Sequence, residues 1–139
     1  MSSDLPDYVR LIAIDVSLPE NQQVIPRPKG GITKKGSYTT TASYAKALGH
    51  IVTDLMTFQV AKITLSCDQD FMYQLYWNGV SIGTEVYVPS KTPYTDWFPW
   101  DFAVMEGNGT KEFEIRAKYP SDGSAGTLNT EIVGEEYTT

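Results

Sequence analysis

Residues 71–88 contain the pattern that most constrains how this chain can fold. An Asn78-Gly79 pair separates two stretches in which apolar residues recur with a period close to two. These are Phe71, Tyr73, Leu75 and Trp77 before the pair, and Val80, Ile82, Val86 and Val88 after it. Such alternation is typical of a half-buried strand. Asn-Gly suits a type I′ turn, in which both central residues need a positive φ. The segment therefore predicts an antiparallel β-hairpin.

The same alternation recurs along most of the chain, and helical periodicity is nearly absent. Further strands are predicted over residues 8–18, 37–48, 56–67, 94–105 and 113–119, with a last strand around Leu128 and Ile132. A change of apolar phase near Val60-Ala61 predicts a β-bulge. In 113–119 the apolar residues alternate with charged ones, which predicts one buried face and one solvent face.

About eight strands joined by short Gly, Pro and Asn turns predict an all-β antiparallel sandwich. The 139 residues match the size of one domain, so we expect residues 1–139 to form a single β-sandwich domain. An eight-stranded jelly roll fits this count best. A seven-stranded immunoglobulin-like sandwich is the alternative, but the chain lacks the Cys–Trp–Cys spacing of that fold.

Residues 19–36 interrupt the pattern with three prolines and three glycines. They predict a long loop or an extended N-terminal arm, because proline cannot donate a ladder hydrogen bond in a central strand. The basic residues Arg27, Lys29, Lys34 and Lys35 fall here. Two interpretations stay open: an arm whose basic residues contact an acidic neighbouring subunit, or a solvated loop.

Composition argues against several functions. The formal net charge is −6, so we expect no nucleic-acid binding. His50 and Cys67 are the only residues of their types, and they predict neither a disulfide within the chain nor a nucleophile–base pair. We therefore expect no enzyme activity and no cofactor.

Acidic residues leave two further questions open. Asp68/Asp70 and Asp96/Asp101 could contact an ion, but each pair supplies fewer oxygens than calcium needs, so no metal site is predicted. Glu112/Glu114 and Glu135-Glu136 are candidate carboxylate pairs for glycoside hydrolysis, because such pairs come together only in the fold.

The N-terminus shows no secretory signal. Met1-Ser2-Ser3-Asp4 is acidic and has no apolar segment of the signal-peptide type. The chain also contains no apolar run near the ~18 residues that a membrane-spanning helix needs. We therefore expect the protein to be made and folded in a cytoplasm, with no membrane partner.

Residues 94–102 form an aromatic segment around Pro99, with Tyr94, Trp97, Phe98, Trp100 and Phe102. One interpretation is a strand kinked at Pro99, in which Trp97 and Phe98 lie on opposite faces. One face would then fill the core and the other would contact a neighbouring subunit. The other interpretation is an exposed platform on which a sugar or a protein docks.

The second half of the chain resembles small virion structural proteins of tailed bacteriophages, over roughly residues 37–136. The resemblance is carried by Cys67, Tyr73 and the motifs Trp77-Asn78-Gly79, Trp97-Phe98-Pro99-Trp100, Gly107-Asn108-Gly109, Lys118-Tyr119-Pro120, Ser124-Ala125-Gly126 and Glu131-Ile132-Val133-Gly134-Glu135-Glu136. It implies a jelly-roll-like sandwich that decorates or cements a capsid, or forms part of a tail or fibre.

The resemblance also implies a location in the virion and an oligomer, often a trimer. The implied partners are the major capsid protein or other virion subunits, and the family offers no catalytic residues to carry over. The alternative function is a carbohydrate-binding module or a receptor-binding tail or fibre component that uses Trp97 or Trp100.

Overall fold

The computed structural model describes residues 28–138, with side chains from residue 31 onward. The described part contains ten strands and no helix. The strands are β1 (Pro28–Thr39), β2 (Ala45–Ile51), β3 (Met56–Cys67), β4 (Phe71–Trp77), β5 (Val80–Ser81), β6 (Val86–Val88), β7 (Tyr94–Trp97), β8 (Met105–Glu106), β9 (Glu112–Lys118) and β10 (Thr127–Thr138).

The strands form two antiparallel sheets. The first sheet has the order β1-β10-β3-β7, with β8 also paired to β3, and the second has the order β2-β9-β4-β5, with β6 also paired to β4. β7 and β8 pair with successive parts of β3, and β5 and β6 do the same along β4. Each of these two pairs therefore acts as one interrupted strand, which reduces the ten strands to eight.

The pairing is nested: β1 pairs with β10, β2 with β9, β3 with β7 and β8, and β4 with β5 and β6. A chain folded back on itself in this way, with its layers divided between two sheets, is a jelly roll. The predicted all-β sandwich and its jelly-roll arrangement are confirmed, and the immunoglobulin-like alternative does not describe this topology.

The core lies between the two sheets and comes from alternate positions of the long strands. In β3, Phe58, Val60, Ile63 and Leu65 are fully buried, and Phe113 and Ile115 of β9 lie opposite them. The rings of Phe58 and Phe113 are 5.9 Å apart. Burying an aliphatic or phenylalanine side chain of this kind stabilises the fold by about 1.5–3 kcal/mol. This shared core is what holds the two sheets together.

Two local predictions are confirmed. In the hairpin turn, Asn78 has φ 50° and Gly79 has φ 81°, as a type I′ turn requires. The bulge lies at Ala61, because Lys62 pairs with Val133 and Val60 pairs with the next residue, Gly134. Ala61 is therefore the extra residue of β3.

The prediction of a loop or arm over residues 19–36 is wrong for residues 28–36. They form most of β1, which pairs with β10 almost residue by residue, from Pro28 opposite Tyr137 to Thr39 opposite Thr127. Pro28 is tolerated because it is the first residue of an edge strand, where a missing N–H costs little. The predicted strand 8–18, residues 19–27 and the side chain of Lys29 lie outside what the structure describes.

Two predicted strands are interrupted. The strand 37–48 divides because the chain crosses between the sheets at residues 40–44, where the Thr40 amide donates to the Gly126 carbonyl at 2.9 Å. The strand 94–105 leaves the ladder after Trp97 and returns only at Met105. Pro99 lies in the gap and cannot donate a ladder hydrogen bond.

The predicted solvent face of β9 is partly covered. Glu114 is only 9% exposed, and Arg116 donates to its carboxylate at 3.1 Å while lying 4.1 Å from the ring centroid of Tyr76. Lys46 of β2 pairs with Glu112 at 3.1 Å. The charged groups on the outer face of the second sheet therefore largely satisfy one another.

Candidate functional site

The aromatic segment divides between the core and the surface. Tyr94, Phe98 and Phe102 are partly buried and pack against the core. Trp97 and Trp100 are 68% and 70% exposed. Trp97 is therefore exposed, whereas Phe98 is partly buried against the core and also lines a surface depression beside Trp100. The two exposed indoles are the candidates for contact with a partner or a ligand.

The bulge in β3 helps to hold this segment in place. The Phe98 amide donates to the carbonyl of the bulged residue Ala61 at 3.0 Å. The Pro99 carbonyl accepts from the Phe102 amide at 3.1 Å and from the Gln59 side-chain amide at 3.3 Å. Trp100 and Asp101 therefore lie at the tip of a tight turn, and the rings of Phe98 and Phe102 on either side of it contact each other at a tilt, with 4.6 Å between their centroids.

Trp100 stands between two shallow depressions on the outer face of the first sheet. One has a volume of about 300 Å³ and is lined by residues that include Val133 and Glu135. The other has a volume of about 340 Å³ and is lined by residues that include Asp101 and Val104. Gln59, Trp100 and Tyr137 line both. We call these two depressions together the Trp100 groove.

Other apolar side chains are exposed at the same end of the first sheet. Leu55 is 73% exposed and Val104 is 77% exposed. Leu55 lies in the turn between β2 and β3, where the Met56 amide donates to the Thr53 carbonyl at 3.1 Å, and it has φ 63°. A branched residue in the left-handed region is strained, and exposed apolar groups that gather at one place often mark a contact surface.

A buried polar network, which the sequence did not predict, lies behind that turn. His50 Nε2 and Glu136 Oε1 are 2.8 Å apart, and the two residues are 5% and 1% exposed. The Thr53 amide and hydroxyl each donate to the same carboxylate oxygen at 3.2 Å. Because His50 belongs to β2 and Glu136 to β10, the pair links the two sheets. One sign of this burial was present in the sequence. Glu136 is an even number of residues from Leu128 and Ile132, so in a strand it lies on the same buried face.

The charge states of this pair follow from its surroundings. Burial lowers the pKa of His50 below its ordinary value, although the neighbouring Glu136 acts in the opposite direction. Burial alone would raise the pKa of Glu136, but the hydrogen bonds from Thr53 and His50 outweigh it, so that pKa is lowered. Among the described residues, His50 Nδ1 and Glu136 Oε2 are buried and have no hydrogen-bond partner. This pair is structural and does not open onto the Trp100 groove.

The basic residues of the predicted arm lie on an edge strand. Lys35 is exposed on the outer face of β1, 3.6 Å from Glu131. Lys34 pairs with Ile132 in the ladder, on the inward side of β1, yet it is exposed at the rim of the sandwich. Arg27 lies outside the described residues. The other edge of β1 pairs with no strand in residues 28–138.

Three of the four aspartates in the acidic pairs accept hydrogen bonds from other parts of the fold. Asp68 accepts from the Thr127 amide at 2.8 Å, and Asp70 accepts from the Ser90 amide at 2.7 Å and the Tyr87 hydroxyl at 2.6 Å. Asp96 accepts from the Tyr73 hydroxyl at 3.1 Å, whereas Asp101 is exposed in the Trp100 groove. Within the described part of the chain, no three His, Cys, Asp or Glu side chains group as metal ligands.

The candidate catalytic residues are not brought together in one cleft. Glu135 is exposed and accepts from the Tyr137 hydroxyl, whereas Glu136 is buried. Glu112 and Glu114 lie on the second sheet and are paired with Lys46 and Arg116. Cys67 is a buried free thiol, and burial raises its pKa, which disfavours the reactive thiolate.

Comparisons with known proteins find little. No protein-family model matches the chain, and no curated protein matches it. A solved structure of desmodium yellow mottle tymovirus aligns with 84% of this chain and 95% of its own, with 10% sequence identity and a TM-score of 0.32. At that identity and TM-score the likeness carries no conclusion about this chain.

In residues 28–138, no helix is long and apolar enough to cross a membrane.

Proposed function

We propose that this chain is a structural protein of a virus particle, a decoration or cement protein that binds a tailed-phage head and stabilises it. The free edge of β1 carries the proposal. β1 is 12 residues long, and its outer edge has no partner strand among the described residues. Such an edge presents a row of N–H and C=O groups that can pair with an extended segment of another chain.

The charge on β1 indicates the kind of segment that would pair there. Lys34 and Lys35 are both exposed on this strand, in a protein whose formal net charge is −6. The proposed occupant is therefore an extended acidic segment of the major capsid protein or of another virion subunit. The same lysines disfavour pairing between the β1 edges of two copies, because like charges would face each other.

The proposal includes a homo-oligomer, with the trimer favoured by the sequence resemblance. Leu55, which is exposed at the same end of the first sheet as the Trp100 groove, is available for contacts between copies. The protein would be made in the cytoplasm of the host and would function in the virion.

We also propose that the protein binds its partner and catalyses no reaction. His50 is engaged with a buried carboxylate, and Cys67 is buried with a raised pKa. Neither residue is arranged as one half of a nucleophile–base pair, which needs an accessible nucleophile within hydrogen-bond reach of its base.

Co-sedimentation tests the proposal. Labelled protein is mixed with purified particles of the virus whose genome encodes it, and bound protein is measured after ultracentrifugation. We expect saturable binding and a higher melting temperature of the particles. The double variant Lys34→Glu/Lys35→Glu should bind at least about tenfold more weakly, since it reverses two contact charges.

Lys46→Glu is the matched control, because Lys46 is half exposed on the outer face of the second sheet. It should bind like the wild type. Absence of binding by the wild-type protein would refute the proposed function, and equal binding by the wild type and the double variant would refute the role of β1.

A further inference from the structure

The Trp100 groove combines an exposed aromatic ring with fixed surroundings. Trp100 is 70% exposed, yet it lies in a turn closed by the hydrogen bond from Phe102 to Pro99. The ring of Tyr137 contacts it edge-on, with 5.7 Å between centroids and 71° between planes. An exposed side chain that is already positioned loses little entropy when a ligand binds, and this favours affinity.

The polar groups of the groove are rich in hydrogen-bond acceptors. The amide nitrogen of Gln59 donates to the carbonyls of Val60 and Pro99, which leaves its amide oxygen as an acceptor. Asp101 and Glu135 add two exposed carboxylates, one in each depression. A ligand suited to these acceptors carries several O–H or N–H donors and an apolar face that can lie against the indole.

The charge of the groove restricts the types of ligand that it can bind. Its lining residues, all within the described part of the chain, include two carboxylates and neither lysine nor arginine. A phosphate, sulfate or carboxylate on the ligand would therefore meet like charge in a protein that is itself acidic. The groove suits a neutral or amine-bearing ligand.

We propose that the Trp100 groove binds a neutral glycan, with one sugar ring against Trp100 and its hydroxyl groups donating to Gln59, Asp101 and Glu135. The two depressions, about 300 and 340 Å³ in volume, are both lined by Trp100 and provide room beside the indole. Sites for small ligands begin at about this size. The site goes beyond the proposed docking of β1 and uses a different part of the first sheet.

Calorimetric titration tests this site. A panel of neutral oligosaccharides, amino-sugar oligosaccharides and anionic oligosaccharides is titrated into the full chain. We expect at least one neutral or amino-sugar ligand to bind and the anionic ligands to bind more weakly. Trp100→Ala should weaken binding about tenfold or more, and Trp100→Phe should retain most of it, because the ring supplies the contact.

Trp97→Ala is the matched control, since Trp97 is as exposed as Trp100 but does not line the groove. It should bind the glycan like the wild type. The proposal is overturned if no neutral or amino-sugar glycan binds, if Trp100→Ala binds as tightly as the wild type, or if anionic glycans bind best. If no glycan binds but Trp100→Ala no longer co-sediments with particles, the groove is a protein contact and the structural role survives.

Discussion

Glu136 is a buried carboxylate whose ionisation links fold stability to pH. Its pKa and that of His50 are both lowered in the folded protein. The unfolded chain therefore takes up protons first as the pH falls, at His50 near pH 6.5 and at Glu136 near pH 4.5. We expect stability to be full at neutral pH and to fall progressively from about pH 6.5 downward. Urea unfolding at pH 7.5, 5.5 and 4 measures this, and a midpoint that rises on acidification would contradict it.

Replacement of Glu136 tests the network directly. Glu136→Gln keeps the shape but removes the charge that three donors share, so we expect the free energy of unfolding at pH 7 to fall by about 1–3 kcal/mol. Glu131→Gln is the control on the same strand, because Glu131 pairs with the exposed Lys35 and its replacement should change stability by no more than about 0.5 kcal/mol. Equal effects of the two variants would show that the buried pair contributes nothing.

Leu55 offers a second test at the residue scale. Its φ of 63° lies in the left-handed region, which costs most L-residues about 1–2 kcal/mol but which asparagine adopts more readily. Leu55→Asn should therefore be more stable than Leu55→Ala by about 1 kcal/mol, since alanine keeps the strain. Thermal unfolding of the two variants measures the difference. If Leu55→Ala is the more stable of the two, the turn is not strained as described.

At the scale of strands, Gly134 of β10 lies opposite the bulge in β3, where there is no room for a side chain. A Cβ atom there would lie 2.4 Å from the Gln59 carbonyl oxygen and 2.8 Å from the ring of Phe58. Gly134→Ala should therefore destabilise the protein by about 1–3 kcal/mol through overpacking. Gly31→Ala on β1 is the control and should be nearly neutral, because no atom of the described residues lies within 4 Å of the added methyl. Chemical denaturation compares them, and a neutral Gly134→Ala would contradict the close approach of β10 to β3.

Features that are determined by neighbouring residues could be predicted from the sequence. Features that depend on contacts between segments distant in sequence could not. The Asn78-Gly79 turn and the Ala61 bulge depend on neighbouring residues, so alternation and turn chemistry were enough. β1 contains Pro28 and several glycines, and only its ladder with β10, distant in sequence, makes it a strand. The exposure of Trp100 and the burial of Glu136 depend in the same way on packing between distant segments.

At the scale of the whole molecule, the jelly roll separates two surfaces that we assign different partners. The free edge of β1 carries exposed lysines and main-chain groups, which suit an acidic extended segment. The Trp100 groove carries an indole and carboxylates, which suit a neutral glycan. The outer face of the second sheet pairs its own charges, as in the contacts of Lys46 with Glu112 and of Arg116 with Glu114. The first sheet is therefore the side of the molecule on which we expect both partners.

A cryo-electron microscopy map of the particle whose genome encodes this chain is the most direct measurement of its structural role. The map should contain this jelly roll on the head, with an extended segment of another virion subunit about 4.8 Å from β1, the spacing of paired strands. A particle that lacks the chain, or one in which the outer edge of β1 faces solvent, would contradict the account.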